Sequence, residues 1–171
     1  MRYVLKYRMG RHVETAQMTD DLEAIWIWSY GSIAPTGDLR TLVISDMNAI
    51  TSIDLTPLAA LPNLQLLHIE FSPLQSIDLT PLSSCVNLRS IELVRTALER
   101  LNLSPLSFCT NLERLLLWGN KIGKIDLTPL AKCTLLKEII LQEARSLDEL
   151  DLSPLSSCRM LQYLNARRNR L

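Results

Sequence analysis

Aliphatic and polar residues alternate along this chain in a pattern that returns every 24 or 25 residues. One copy is the hexapeptide Ile77-Asp78-Leu79-Thr80-Pro81-Leu82. Its counterparts occupy residues 53–58, 101–106, 125–130 and 150–155, so successive copies begin 24, 24, 24 and 25 residues apart. A period of this length is typical of a solenoid, in which each unit buries its apolar face against its neighbours. The pattern predicts one domain, residues 1–171, with an elongated core.

Each unit begins with a short run in which apolar residues alternate with others, as in Leu88, Ile91 and Leu93. This alternation predicts one strand per unit, and stacked units would place these strands in a parallel sheet about 4.8 Å apart. A shortened unit begins at Leu22 and a final one at Leu161. Complete units begin at Leu39, Leu64, Leu88, Leu112 and Leu136.

The second half of each complete unit contains a hydroxyl residue followed by proline. The pairs are Thr56-Pro57, Thr80-Pro81, Ser104-Pro105, Thr128-Pro129 and Ser153-Pro154. We expect a short helical turn here, with the hydroxyl at the N-cap accepting a backbone N–H and the proline at the first helical position. Each such cap would contribute about 1 kcal/mol.

Residues 1–21 lie outside the repeat. Two partly alternating runs, residues 2–8 and 12–18, flank Gly10 and predict a β-hairpin. Because a solenoid needs a terminal unit that shields its first repeat from water, we expect the hairpin to cap residues 22–171.

The composition excludes several classes of function. Lysine plus arginine equals aspartate plus glutamate at 18 each, so no net charge attracts nucleic acid or an anionic membrane. No run of apolar residues is long enough to span a membrane, and the first ten residues do not resemble a signal peptide. We therefore expect a cytoplasmic protein. The five glycines form no phosphate-binding loop, and no cofactor is expected.

The four cysteines each fall three residues after a Pro-Leu pair, at Cys85, Cys109, Cys133 and Cys158. Leu61 occupies the same position in the first complete unit, which indicates a core position that a small thiol can fill. The paired spacing of zinc ligands is not present, so no metal is expected.

The repeated L-x-x-[LI]-x-[LI] strand and the L-x-x-[LI]-[DN]-L-[ST]-P-L segment resemble leucine-rich repeat proteins. The resemblance covers Leu22–Leu171, and the repeat subtype is similar to internalin-like and phosphatase-regulatory repeats. It implies an α/β fold: a right-handed solenoid with a parallel sheet on its concave side and short helical turns on its convex side. The asparagine that this family places after the strand is present at Asn120 and Asn169, and Ser72 and Thr96 replace it in other units.

Residues between the strand leucines should point onto the concave face. One column of such residues is Trp26, Val43, His68, Glu92, Leu116, Ile140 and Asn165, and the next is Trp28, Ser45, Glu70, Val94, Trp118, Gln142 and Arg167. All three tryptophans lie in these columns, and Phe71 and Arg95 follow them.

Trp and Arg are enriched at binding hot spots, so the pattern favours a noncatalytic scaffold that binds a partner protein of unknown identity. The predicted contact residues are Trp26, Trp28, His68, Glu70, Phe71, Glu92, Arg95, Trp118, Gln142 and Arg167. An alternative is that the hairpin covers Trp26 and Trp28.

Other functions have weaker support in the sequence. An enzyme or regulatory subunit could use His68, which lies beside Glu70 and Glu92. Nucleic acid could bind the C-terminal arginines, Arg159, Arg167, Arg168 and Arg170. The acidic column Asp54, Asp78, Asn102, Asp126 and Asp151 is expected to be solvated or to cap the helical turns. We expect a monomer, and an end-to-end homodimer is the alternative.

Overall fold

A computed structural model describes residues 2–9, 12–19, 24–28, 31–33, 40–45 and 50–171. The strands are β1 (Arg2–Met9), β2 (His12–Thr19), β3 (Ala24–Trp28), β4 (Gly31–Ile33), β5 (Thr41–Ile44), β6 (Ile50–Asp54), β7 (Leu66–Ser72), β8 (Ser90–Thr96), β9 (Arg114–Leu116), β10 (Glu138–Ile140) and β11 (Tyr163–Asn165). The helices are 3₁₀ turns at Thr56–Ala60, Thr80–Ser84, Ser104–Phe108, Thr128–Lys132 and Ser153–Ser157. None of the helices in these ranges is long and apolar enough to cross a membrane.

The repeated strands form one open sheet with the order β11-β10-β9-β8-β7-β5-β3-β4. Every neighbouring pair from β3 to β11 is parallel, as the repeat predicts. β4 is the exception, because it pairs antiparallel to β3 and forms the edge of the sheet. The repeat pattern did not predict β4, which lies in the shortened first unit where the period is lost.

The core lies between this sheet and the 3₁₀ turns. Leu79 and Leu103, which the repeat assigns to the core, are each 2% exposed. One leucine of every turn is also buried: Leu58, Leu82, Leu106, Leu130 and Leu155. The sequence prediction of a solenoid with a continuous apolar core is therefore confirmed.

The helix caps differ from the prediction. No hydroxyl caps a turn; instead, each turn is preceded by an aspartate or asparagine that accepts the N–H two residues further on. The pairs are Asp54 with Thr56, Asp78 with Thr80, Asn102 with Ser104, Asp126 with Thr128 and Asp151 with Ser153, at 2.8–3.0 Å. The side chain of an aspartate or asparagine two residues earlier reaches this N–H with little strain. The hydroxyl belongs to the same residue as the N–H, so it is not placed to accept from it.

The hydroxyl groups act as donors to the same acidic column. Ser153 Oγ donates to Asp151 Oδ2 at 2.9 Å. The hydroxyl and backbone bonds from Thr80 hold the pKa of Asp78 below its usual value, and the pKa of Asp151 is lowered in the same way by Ser153. The column is therefore a set of caps, which was one of the two roles expected for it.

The N-terminal hairpin is present, with β1 antiparallel to β2 from Arg2↔Thr19 to Met9↔His12. Its position is more specific than the sequence predicted. β1 pairs antiparallel with β6 of the first complete unit, with partners such as Tyr7↔Ile53, and the three strands form a separate sheet. The hairpin thus extends the outer side of the first complete repeat.

All four cysteines are buried free thiols. Each Sγ donates to the carbonyl of the buried leucine in the preceding turn, for example from Cys109 to Leu82 at 3.2 Å. Burial raises the pKa of Cys85, Cys109 and Cys133 to about 12. The predicted core role is confirmed, and the thiols are protonated at neutral pH.

Candidate functional site

The concave columns run in register across the sheet. In the first column, hydrogen-bonded strands place Trp26 beside Val43, Val43 beside His68, and so on to Asn165. The period fixed this register, since a change of one residue would move the leucines out of the core. Trp26 and Trp28 lie on β3, and their side chains, including any cover from the hairpin, are outside the described part of the chain.

Three of the predicted contact residues meet at the ends of β7, β8 and β9. The guanidinium of Arg95 lies 4.8 Å from the ring centroid of Trp118 and 5.4 Å from that of Phe71. We call these three residues the arginine sandwich. Arg95 is exposed and both rings are half-buried. Each cation–π contact at an exposed site contributes about 0.5–1 kcal/mol, so the arginine is held in place while it still faces solvent.

The backbone at the end of each strand explains why the sandwich forms. Equivalent residues of successive units have a positive φ: Phe71 (51°), Arg95 (47°), Gly119 (76°), Glu143 (57°) and Arg168 (58°), and Arg145 (56°) is a second such residue in the unit of Glu143. This left-handed conformation costs an L-residue about 1–2 kcal/mol and reverses the direction in which its side chain leaves the strand. Because the same turn recurs 24 residues apart, Phe71 and Arg95 leave adjacent strands in parallel.

Gly119 makes room for the sandwich. A Cβ at this position would lie 2.8 Å from Cγ of Arg95, closer than real Cβ atoms approach other atoms. Gly119 is not among the site residues predicted from the sequence. The repeat could have identified it, since Gly119 occupies the position that Phe71 and Arg95 hold in the two preceding units.

A second cluster on the concave face is acidic. His68 Nδ1 is 2.7 Å from Glu92 Oε2, and His68 Nε2 is 3.5 Å from Glu70 Oε2. Ser90 Oγ donates to the other oxygen of Glu92 at 2.9 Å. The hydrogen bond with Glu92 raises the pKa of His68, and the same bond lowers the pKa of Glu92. Both ring nitrogens of His68 therefore face carboxylates, an arrangement that favours the imidazolium.

Two residues that the sequence analysis missed complete this cluster. Arg114 lies 3.4 Å from Glu92 and 2.9 Å from Glu138. Both residues belong to a third column, which lies two residues before the first and includes Ser90. The two-residue period of a strand places this column on the same face, so extending the alternation by one step would have found it.

The remaining predicted contact residues lie apart from these clusters. Gln142 Oε1 accepts a hydrogen bond from Asn165 Nδ2 at 2.6 Å, and Arg167 is exposed at the end of β11. Other members of the concave columns are withdrawn from solvent, since Val94 is 4% and Leu116 is 7% exposed. Among the concave residues whose side chains the structure describes, the available face therefore consists mainly of the arginine sandwich and the acidic cluster.

Within the described part of the chain, some of the residues on which the alternative functions would depend are already engaged by other side chains. His68 is engaged by two carboxylates, and no group of three metal-binding side chains occurs within the described ranges. Among the C-terminal arginines, Arg168 is paired with Glu143 at 2.5 Å, and Arg159, Arg167 and Arg170 are exposed.

Solved structures resemble this chain over most of its length. An internalin, inlF of Listeria monocytogenes, matches with a TM-score of 0.60 and 24% identity over 77% of this chain and 35% of that one. Internalin C2, inlC2 of the same organism, matches with a TM-score of 0.47 and 25% identity over 75% of this chain and 62% of that one. No family model and no curated protein matches the chain.

The likeness to inlF, together with the parallel sheet, shows the fold, a right-handed leucine-rich repeat solenoid with a concave parallel sheet. The chain spans about a third of the length of inlF and less than two thirds of that of inlC2. The likeness is to internalins, and the predicted likeness to phosphatase-regulatory repeats stays a prediction.

Proposed function

We propose that this protein is a noncatalytic scaffold that binds a partner protein across its concave face, centred on the arginine sandwich. The observation that carries the proposal is an exposed arginine stacked on two aromatic rings. Arginine and tryptophan are the residues most enriched at hot spots. Because the sandwich fixes the Arg95 side chain before binding, less conformational entropy is lost when a partner docks.

The size of the concave face supports the proposal. Seven parallel strands about 4.8 Å apart give a face roughly 30 Å long. A face of this length accommodates a standard interface of about 800 Å² per partner. The acidic cluster lies on β7 to β10, beside the sandwich, and would supply the polar contacts around a central hot spot.

Affinity capture with variant baits tests the proposal. The wild-type protein, Trp118→Ala and Arg95→Ala serve as baits in extract of the source cell, and mass spectrometry identifies the captured proteins. Phe108→Ala is the matched control, because Phe108 is an aromatic residue on a convex turn and is 59% exposed. We expect the two concave variants to lose a partner that the control keeps. The proposal is rejected if both concave variants retain every partner.

The predicted monomeric state and cytoplasmic location belong to this proposal. Buried free thiols suit a reducing compartment, where disulfides seldom persist. Sedimentation equilibrium measures the mass of the particle, and a dimer mass that persists in high salt would contradict the monomer. Fractionation of the source cell tests the location.

A further inference from the structure

A pocket of about 370 Å³ lies beside the arginine sandwich, where β8, β9 and β10 end and the following turns begin. Its walls come from three consecutive repeats, and the lining residues are Arg95, Thr96, Gly119, Asn120, Lys121, Glu143 and Arg145. The volume lies within the range of sites that hold small ligands, about 300–1,000 Å³.

Three cations line this pocket without a carboxylate partner. Arg95, Lys121 and Arg145 are exposed, and within the described ranges none of them makes an ion pair. The pocket contains one carboxylate, Glu143, which Arg168 already neutralises from outside the lining at 2.5 Å. The pocket therefore holds an excess of positive charge on a chain whose net charge is zero.

The floor of the pocket does not compete for these cations. Thr96 and Asn120 are buried, and the hydroxyl of Thr96 donates to Oδ1 of Asn120. Nδ2 of Asn120 donates to the carbonyls of Leu93 and Leu117, at 2.7 and 2.8 Å. The polar atoms of both side chains are thus occupied within the protein, and the groups left to a ligand are the three cations.

From this arrangement we infer that the pocket binds a short acidic segment of a protein partner, whose carboxylates pair with Arg95, Lys121 and Arg145. A guanidinium offers parallel N–H donors that match the two oxygens of a carboxylate. The stacking of Arg95 on Trp118 presents this group in a fixed orientation. The inference rests on the proposed scaffold function and names the chemistry that the partner brings to the concave face.

Direct binding of capped peptides tests the inference with the full chain. A capped hexaglutamate peptide is titrated into the protein at fixed ionic strength, and hexaglutamine is the uncharged control. Calorimetry gives the affinity, and the amide resonance of Gly119 reports binding at the pocket. We expect hexaglutamate to bind and to shift this resonance, and hexaglutamine to do neither.

Variants of the pocket identify the cations that matter. Lys121→Gln and Arg145→Gln leave the sandwich intact, and each should weaken hexaglutamate binding by about tenfold, since each removes one charge-assisted hydrogen bond in a partly exposed site. Lys132→Gln removes an exposed cation from a convex turn and should leave the affinity unchanged. An equal loss in all three variants would mean nonspecific attraction and would overturn the inference. Thermal unfolding of each variant verifies that it is folded.

Two further results distinguish this inference from its alternatives. If inorganic phosphate or an oligothymidylate binds more tightly than hexaglutamate and is lost in the same variants, the ligand is a phosphate and the acidic-segment inference is wrong. If Trp118→Ala abolishes partner capture while Lys121→Gln and Arg145→Gln bind the partner normally, the scaffold function stands and the pocket plays no part in it.

Discussion

The convex and concave sides of this solenoid follow the same period, but only the convex side repeats its chemistry. In each complete unit the convex side has an Asx cap, a hydroxyl, a proline and a buried leucine, with a cysteine in four of the five. At the corresponding concave positions, His68 lies beside Glu92, and Leu116 follows. The repeated positions therefore maintain the fold, whereas the positions that vary from unit to unit are free to contact a partner.

The largest expected effect comes from breaking the convex side. Leu106→Ala removes a fully buried side chain from the turn Ser104–Phe108, and we expect the free energy of unfolding to fall by about 3 kcal/mol. Urea denaturation measures this change. Phe108→Ala in the same turn is the control and should change stability by less than about 0.5 kcal/mol, because Phe108 is mostly exposed. Equal losses would contradict the assignment of the core.

The second prediction breaks the concave side through its backbone. Gly119→Ala places a side chain at φ 76° and against Arg95, so it should destabilise the fold by about 1–2 kcal/mol and displace Arg95 from Trp118. Urea denaturation and tryptophan fluorescence report the two effects. Gly123→Ala is the matched control, since the nearest atom to its Cβ would be 3.8 Å away. A similar loss in both variants would show that the left-handed turn is not the cause.

The third prediction concerns the concave side and the dependence of its stability on pH. The pKa of His68 is raised above 6.5, so its contribution to stability is present below that pH and is lost as pH rises through the folded value. The pKa of Glu92 is lowered below 4.5, so its contribution is present above that pH and is lost on acidification. Both contributions are present between 4.5 and 6.5.

The measurement is urea denaturation of the wild type and His68→Gln at about pH 5.5 and about pH 8.5. We expect the variant to be less stable by under about 1 kcal/mol at the lower pH, and the difference to shrink at the higher pH. Lys124→Gln breaks an exposed pair with Glu149 and should show no such change over this range. A difference that does not depend on pH would contradict the proposed interaction of His68 with Glu70 and Glu92.

The smallest expected effect concerns a single convex cap. Asp78→Ala removes the acceptor of the Thr80 N–H and should lower the melting temperature slightly, because the orphan donor can still bond to water. Asp78→Asn should preserve more stability, since the amide oxygen of Asn102 accepts the same bond in the next unit. Calorimetry of both variants ranks them. The cap assignment fails if the two substitutions are equally harmful.

The sequence predicted the strand columns because the period and the buried leucines leave only one register. It allowed a capping role for the acidic column but wrongly assigned the N-cap to the hydroxyl, because Asp78 and Thr80 both carry an oxygen near the helix start and only their positions in space select the acceptor. The left-handed turns were also missed, since Gly119 alone among them has the residue type that marks such a conformation.

Structural features that do not recur in every unit were predicted least well from the sequence. The pairing of β1 with β6 joins residues far apart in the chain, and nothing in the repeat specifies it. At the candidate site, the sequence placed Phe71, Arg95 and Trp118 on one face, but not in contact. Their stacking depends on the positive φ of Phe71 and Arg95, which neither residue type indicates.

The rate at which each buried thiol reacts with an alkylating reagent reports the local opening of its unit. Because each sulfur is protonated and enclosed, an alkylating reagent can react with it only while its own unit is open. The labelling rates of Cys85, Cys109, Cys133 and Cys158, read separately by peptide mass spectrometry, would therefore give an opening free energy for each of four successive units. Cys158 is 4% exposed and Cys109 is 0% exposed, so Cys158 should react before Cys109.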